Sequence, residues 1–91
     1  MKSIPRSIRI GAKRFTVRTA PLSAHTGFDG RTDYVHRRIT IETSLPYAEQ
    51  LATLIHEAVH VINDRYVTGL DESQVARLAN GVEELLGQLR E

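Results

Sequence analysis

The chain has 91 residues, 41% of them hydrophobic and 25% charged, with a formal net charge of +1 at pH 7 and no cysteine. A chain of this length forms one small domain around a modest core, and without cysteine it has neither disulfides nor thiolate metal ligands. No long apolar run follows the N-terminus, so we expect no signal peptide, no membrane-spanning segment and a cytoplasmic protein whose single domain covers residues 1–91.

The first half of the chain predicts two pairs of strands. Residues 8–10 and 15–18 alternate apolar and polar side chains around a four-residue connection, which predicts a hairpin. A second pair runs through residues 33–35 and 39–41. The segment 21–30 between the pairs is rich in Gly, Pro and short polar residues and is predicted to be a flexible loop. The two hairpins predict a small antiparallel sheet.

A long amphipathic helix is predicted after the second hairpin. Thr43 or Ser44 is expected to cap it, with Pro46 in its first turn. Its apolar residues recur at helical spacing and fill an arc of about 160°. His56 and His60 lie on the opposite side of this helix, so they are not predicted to be core histidines.

The segment His56-Glu57-Ala58-Val59-His60 predicts a catalytic metal site on that helix. Residues four apart lie on one helical face, roughly 6 Å apart, so the two imidazoles can converge on one ion. Glu57 is rotated by about 100° from His56, which places its carboxylate beside the metal, where a general base must stand. Chance alone gives this pattern about once in a hundred chains of this composition.

Residues 71–91 predict a second helix, with apolar side chains at i, i+3, i+4 and i+7 spacing. Asp71 followed by Gln74 fits a capping box at its start. Because the connection between the two helices has about four residues, we expect them to be antiparallel neighbours.

A catalytic zinc site needs a third protein ligand besides the two histidines. Glu72 is the preferred candidate, because it borders the apolar stripe of the second helix and is followed on the same side of that helix by small alanines. Glu83 borders the same stripe, and Asp64 lies one turn beyond His60. Both remain alternatives.

These residues resemble a known family pattern. His56-Glu57-x-x-His60 followed by Glu72 resembles the gluzincin pattern of zinc metallopeptidases, and residues 72–80 resemble the Glu-x-x-Ala-x-x-Phe-Ala segment of ImmA/IrrE-like peptidases. The chain also resembles short metallopeptidase-like proteins of bacteriophages and prophages. The resemblance implies a minimal α+β zincin that hydrolyses peptide bonds in a peptide or protein substrate. It also implies His56, His60 and Glu72 as Zn²⁺ ligands and Glu57 as the catalytic base.

Two features of substrate binding are also expected. Zincin-like proteases commonly hold the substrate as an added strand on the edge of a small sheet, here near Val35 or Ile41. A second electrophile often stabilises the oxyanion in such sites. Tyr66, Tyr34 and His36 are the candidates.

Two other functions are compatible with the sequence. One is a non-catalytic metal-binding module through which a phage regulates or binds another protein. The other is a small nucleic-acid binder, because residues 1–41 contain nine Lys or Arg and two Asp, whereas residues 42–91 contain three Arg and nine acidic residues. We expect the two halves to complement each other, so nucleic acid is not the expected partner. The basic residues concerned are Arg9, Lys13, Arg14, Arg18, Arg37 and Arg38.

Overall fold

The protein is described by a computed structural model that covers residues 3–89, without the side chains of residues 25 and 89. The described residues form four strands and three helices, one helix more than predicted, and the predicted α+β class is confirmed. The elements are β1 (Ser7–Ile10), β2 (Lys13–Ala20), α1 (Ser23–Thr26), β3 (Gly30–Asp33), β4 (Arg38–Glu42), α2 (Tyr47–Tyr66) and α3 (Glu72–Leu89). In the described part of the chain, no helix combines the length and apolarity needed to cross a bilayer.

The four strands form one sheet in the order β1-β2-β4-β3. The β1–β2 and β3–β4 pairs are antiparallel, as predicted, but β2 and β4 are parallel. The prediction of an entirely antiparallel sheet is therefore wrong. The chain leaves β2, crosses to the far edge to form β3 and returns as β4 into the middle, so that β4 runs in the direction of β2.

The boundaries of the predicted strands also shift. The first hairpin turns on two residues rather than four, with Gly11 at a φ of 63°. Strand β3 begins at Gly30 and ends at Asp33, so the predicted strand at 33–35 is wrong. Asp33 ends β3 because its side chain accepts a hydrogen bond of 3.1 Å from the backbone N–H of His36, which closes a turn.

The predicted loop at residues 21–30 contains the short helix α1. Its first N–H groups meet an acceptor from another element, since Glu42 at the end of β4 lies 2.6 Å from the backbone nitrogen of Leu22 and 2.7 Å from that of Ser23. This tertiary contact satisfies donors that a helix start leaves free. No local sequence signal marks it.

Alternation along the strands gives the sheet an inner and an outer face. The inner face carries the apolar side chains that pack on α2. A second cluster lies between α2 and α3 and consists of Ile55, Val59, Val75 and Ala79. Burying each of the larger side chains contributes about 1.5–3 kcal/mol. The main residues of the core between the sheet and α2 are Phe15, Val17, Ile39 and Ile41 from the sheet, and Leu54 and Val61 from α2.

The start of α2 differs from the prediction. Neither Thr43 nor Ser44 caps it; Pro46 occupies the cap position and makes no side-chain cap bond. Instead, Gln50 reaches back and donates from Nε2 to the carbonyl of Leu45 at 3.0 Å. Ser44 is held outside the helix, because its N–H donates to Glu42 at 2.9 Å.

The start of α3 agrees with the prediction. Asp71 N–H donates to Gln74 Oε1 at 2.9 Å, and Gln74 N–H donates to Asp71 Oδ1 at 2.8 Å, which is a reciprocal capping box. Leu89 is the last described residue of α3, so the predicted end of this helix lies outside the described residues. Helices α2 and α3 pack against each other as expected.

Candidate metal centre

The two histidines of the motif lie on one side of α2, as their spacing predicts. The ring centroids of His56 and His60 are 4.9 Å apart, and the ring planes are inclined by 59°. The side chains are 30% and 27% exposed, respectively, so both rings are partly shielded yet open to the surface. The apolar residues of α2 fix the opposite side of the helix against the sheet and α3. Core packing thereby directs the imidazoles away from the core.

Glu72, the first residue of α3, completes a three-residue cluster with these histidines. Its Oε1 lies 2.9 Å from His56 Nε2, and its Oε2 lies 2.9 Å from His60 Nε2. One potential ligand atom from each residue lies within 4.8 Å of the others. Two donors bound tetrahedrally to zinc at about 2.0–2.1 Å are about 3.3 Å apart. The three side chains are therefore close enough together to bind a metal ion.

The two alternative third ligands lie elsewhere. Glu83 lines the cavity next to the cluster but is not part of it. Asp64 lines a separate cavity together with Tyr34 and Arg65. Among residues 3–89, the group whose ligand atoms lie close enough together for a metal contains only the two histidines and Glu72.

The cluster combines two kinds of donor atom and is open to solvent. It offers two imidazole nitrogens and one carboxylate, which is the number of protein ligands found in catalytic zinc sites. The side chain of Glu72 is 69% exposed, so the site opens to solvent on the side of α3. The three candidate ligands are therefore accessible from outside.

Glu57 lies beside the cluster and is held in place by the sheet. Thr32 Oγ1 on β3 donates a hydrogen bond of 2.7 Å to Glu57 Oε1. The second carboxylate oxygen lies close to the backbone of Gly30, because a Cβ added there would be 3.3 Å from Glu57 Oε2. Glu57 lines the same cavity as the two histidines and Glu72. No pattern in the sequence identified Thr32 as its partner.

Gly30 allows β3 to approach α2 closely. A Cβ at this position would lie 2.6 Å from Thr53 Cγ2 and 3.1 Å from Glu57 Cγ, both on α2. The first distance is shorter than side chains tolerate, so only glycine fits without a shift. The lack of a side chain at Gly30 thus permits the hydrogen bond between Thr32 and Glu57.

A cavity of about 900 Å³ adjoins the cluster. The sheet side contributes Gly30 and Arg31 of β3 together with Phe28, whose side chain is 68% exposed at the margin. Asn80 and Glu83 of α3 lie on the helical side. Because β3 is an edge strand, the cavity borders a strand with a free edge. Apart from Glu83, none of these five residues was predicted, and each becomes relevant only through its position around the cavity.

The three predicted oxyanion-stabilising residues do not line this cavity. Tyr34 lies in the β3–β4 turn, where burial and then the charges of Asp64 and Glu57 raise the pKa of its hydroxyl. His36 pairs with Asp33, with 2.9 Å between Nδ1 and Oδ2. The side-chain hydrogen bond from His36 is the largest cause of the lowered pKa of Asp33.

The third candidate, Tyr66, lies at the end of α2 and is 58% exposed. Its ring contacts Arg65, whose guanidinium carbon is 5.4 Å from the ring centroid. Arg31 and Asn80 are among the side chains with donor groups that line the cavity.

No protein-family model, curated protein or solved structure matches the chain. The resemblance to zinc metallopeptidases therefore remains a prediction. The support for the candidate metal centre is the short distance between the possible ligand atoms of His56, His60 and Glu72.

Proposed function

We propose that the chain is a zinc-dependent metallopeptidase. The observation that supports this proposal is the close approach of His56, His60 and Glu72. Glu57 lies beside them and is oriented by a hydrogen bond from Thr32. Solvated surface histidines need no such arrangement. A catalytic carboxylate needs a fixed position next to the reacting atoms.

His56, His60 and Glu72 would hold the metal. Nitrogen and oxygen donors without thiolate are compatible with Zn²⁺ at a catalytic site, and imidazole suits zinc better than it suits Mg²⁺ or Ca²⁺. When bound, zinc supplies Lewis acidity that polarises a carbonyl group and makes water easier to deprotonate. The two helices that carry the ligands would be linked through the ion.

Glu57 would act as the general base and then as the acid. Its free carboxylate oxygen accepts the proton of the attacking water, and the same group passes that proton to the leaving amine. The hydrogen bond from Thr32 fixes the other oxygen at 2.7 Å and thereby sets the orientation of the carboxylate. Arg31 and Asn80 can donate hydrogen bonds into the cavity, where charge develops on the carbonyl oxygen.

The substrate would be an extended peptide along β3. This strand is at the edge of the sheet, and its residues Gly30 and Arg31 line the cavity that contains the candidate centre. Main-chain hydrogen bonds to a free strand edge bind extended peptides irrespective of their side chains. The cavity beside the edge would accommodate a side chain of the substrate.

The decisive experiment compares the wild type with Glu57→Gln on a mixture of fluorogenic peptides, with metal content measured in parallel. We expect wild-type protein to hold about one zinc per chain and to hydrolyse peptides, as a three-ligand site predicts. The variant should retain zinc and lose at least about a hundredfold in rate, as is common when a general base is removed. Equal hydrolysis by both proteins would contradict the proposal.

The same experiment tests the main alternative. Wild-type protein that holds zinc but cleaves none of the peptides would be a metal-binding interaction module rather than an enzyme. Its function would then be insensitive to Glu57→Gln. Wild-type protein that holds no metal would contradict both functions.

A further inference from the structure

The outer face of the sheet, which faces away from α2 and α3, carries all five arginines of the strands. Side chains alternate between the two faces of a strand, and the inner face is defined by the buried residues Phe15, Val17, Ile39 and Ile41. The strand residues that alternate with these buried ones therefore project from the outer face. Five of them are exposed arginines, with at least one on every strand: Arg9, Arg14, Arg18, Arg31 and Arg38.

These arginines are close neighbours. Arg9 of β1 is the direct cross-strand partner of Arg14 of β2. Side chains opposite each other in an antiparallel pair lie about 5 Å apart at Cβ, and like charges there are destabilising. Arg18, Arg31 and Arg38 line a small cavity of about 190 Å³ on the same face, together with Asp33, the cross-strand partner of Arg38. Charge is thus concentrated on this face at a cost to the folded state.

Within the described residues, the arginines of this face outnumber its acids and form no ion pairs. Among residues 3–89, none of the five arginines lies within 4.0 Å of a carboxylate oxygen. The two acidic residues on the same face already have partners. Asp33 pairs with His36, and the carboxylate of Glu42 accepts hydrogen bonds from backbone N–H groups. The expectation that the basic and acidic halves complement each other therefore does not hold for this face.

The acidic residues of the second half lie mainly on the helices. The acids of α2 and α3 are Glu49, Glu57, Asp64, Glu72, Glu83 and Glu84. Because α2 packs on the inner face and α3 packs on α2, the molecule has a basic sheet side and an acidic helical side. A polyanion is attracted to the first and repelled by the second.

We infer that the outer face of the sheet binds the phosphate backbone of double-stranded nucleic acid. Guanidinium groups match phosphate oxygens through forked pairs of hydrogen bonds. The five basic side chains on this face are all arginine; Lys13 has the opposite parity and lines a cavity with inner-face residues. No aromatic residue lies on the outer side of the strands. Aromatic anchors are typical of protein interfaces and of single-strand binding, whereas phosphate contacts need none.

This inference is independent of the proposed peptidase activity, although the two surfaces meet at Arg31, which lines both cavities. A bound duplex would cover the outer face and leave the histidines free. Arg31 is therefore not used in the test. Nucleic-acid binding should also be the same with zinc and with a chelator.

Binding of a fluorescent DNA duplex of about 20 base pairs, measured by anisotropy between about 30 and 200 mM NaCl, tests the inference. For the wild type, we expect log Kd to rise with log[NaCl] with a slope of about 3 or more, because each phosphate contact contributes about 0.9. Arg14→Gln/Arg18→Gln should weaken binding at least about tenfold and reduce the slope by about 2. Arg9→Gln/Arg38→Gln should do the same.

The matched control is Arg65→Gln/Arg77→Gln, which removes the same charge from exposed positions on the helices. It should bind the duplex within about twofold of the wild type, since its residues make no phosphate contact. Circular dichroism shows whether each variant is folded, and metal content should be unchanged in all of them. Three results would overturn the inference: no salt-dependent binding by the wild type, an equal loss in the control, or displacement of the duplex by polyglutamate at the same charge concentration. The last result would assign the face to acidic polypeptides.

Discussion

Thr32 and Glu57 connect the sheet to the candidate centre through a hydrogen bond of 2.7 Å between Oγ1 and Oε1. The two residues are 25 positions apart in the sequence, and neither belongs to the cluster that would bind the metal. The contact joins an edge strand, where a substrate could bind, to the carboxylate proposed as the base. It therefore gives the sheet a function in orienting Glu57 besides its function in the core.

The first prediction concerns this hydrogen bond. Thr32→Val keeps the shape of the side chain but removes the donor, so peptide hydrolysis should fall about tenfold, the worth of a hydrogen bond to a charged group. Thr32→Ser restores the hydroxyl and should recover most of the rate. Metal content should be equal in all three proteins, since Thr32 contacts no ligand. Equal rates for the Val and Ser variants would show that orientation by Thr32 is unimportant.

The second prediction separates the three candidate third ligands. Glu72→Gln should lower zinc affinity by at least about tenfold, because a charged ligand is replaced by a weak one. Glu83→Gln and Asp64→Asn should bind zinc as the wild type does, as their carboxylates lie outside the cluster. Zinc should also raise the midpoint of thermal unfolding of the wild type, because a ligand that binds the folded state stabilises it. A chelator should reverse this rise. Stronger loss in Glu83→Gln than in Glu72→Gln would contradict this assignment.

Local patterns predicted the parts of this structure that depend on nearby residues. The spacing of His56 and His60 placed both rings on one helical face, and the pair Asp71 and Gln74 formed the expected capping box. Glu72 was preferred over Glu83, which borders the same apolar stripe, because small alanines follow it on its side of the helix, and the structure brings it to the histidines. Helical periodicity is a strong signal, so these relations follow from the sequence.

Contacts between distant segments could not be predicted in this way. The parallel pairing of β2 with β4 depends on the path that the chain takes across the sheet between these strands. The sequence of neither strand indicates that path. The hydrogen bonds of Glu42 to α1 and the close approach at Gly30 join segments that are far apart in the sequence. A glycine in a strand suggests a bulge or a close approach, and that signal could have drawn attention to Gly30.

The third prediction tests the close approach at Gly30. Gly30→Ala places a Cβ 2.6 Å from Thr53 Cγ2, so it should lower the free energy of unfolding by about 1–3 kcal/mol and reduce hydrolysis by displacing β3. Adding Thr53→Ser removes that methyl group and should recover part of both losses. Gly81→Ala is the control, since no atom lies within 4 Å of its Cβ. It should stabilise α3 by up to about 1 kcal/mol. Urea unfolding measures all four proteins.

The fourth prediction concerns the pH dependence of stability. Backbone N–H groups of Leu22, Ser23 and Ser44 lower the pKa of Glu42 far below its ordinary value of 4.5. A lowered pKa in the folded state stabilises the protein above the unfolded value, and this contribution is lost as pH falls toward the folded value. Glu42→Gln should therefore be less stable than the wild type at pH 7, and the difference should shrink progressively below about pH 4.5.

Urea unfolding between about pH 3 and 7 measures this difference at each pH. Glu84→Gln removes the same charge from an exposed position on α3 and is the matched control. It should remain within about 0.5 kcal/mol of the wild type at pH 7, as is usual for surface substitutions. A gap between Glu42→Gln and the wild type that widens at low pH would contradict the capping of α1 by a carboxylate.

The fifth prediction concerns the connection between α2 and α3, which positions Glu72. Asn63 holds this connection through two hydrogen bonds to Leu70: its Nδ2 donates to the carbonyl at 3.1 Å, and its Oδ1 accepts from the N–H at 3.0 Å. The Thr68 hydroxyl also donates to Asn63 Oδ1. Because α3 begins two residues after Leu70, loosening the connection displaces Glu72 relative to the histidines.

Asn63→Ala should therefore lower the free energy of unfolding by about 1–3 kcal/mol, since backbone groups of Leu70 lose their partners. It should also weaken zinc binding, although Asn63 is not a ligand. Gln88→Ala, at an exposed position of α3, should change neither quantity. Isothermal titration with zinc and urea unfolding with a chelator measure the two effects separately. Weaker stability with unchanged zinc affinity would mean that the packing of Val75 and Ala79 on α2 positions Glu72 without help from the connection.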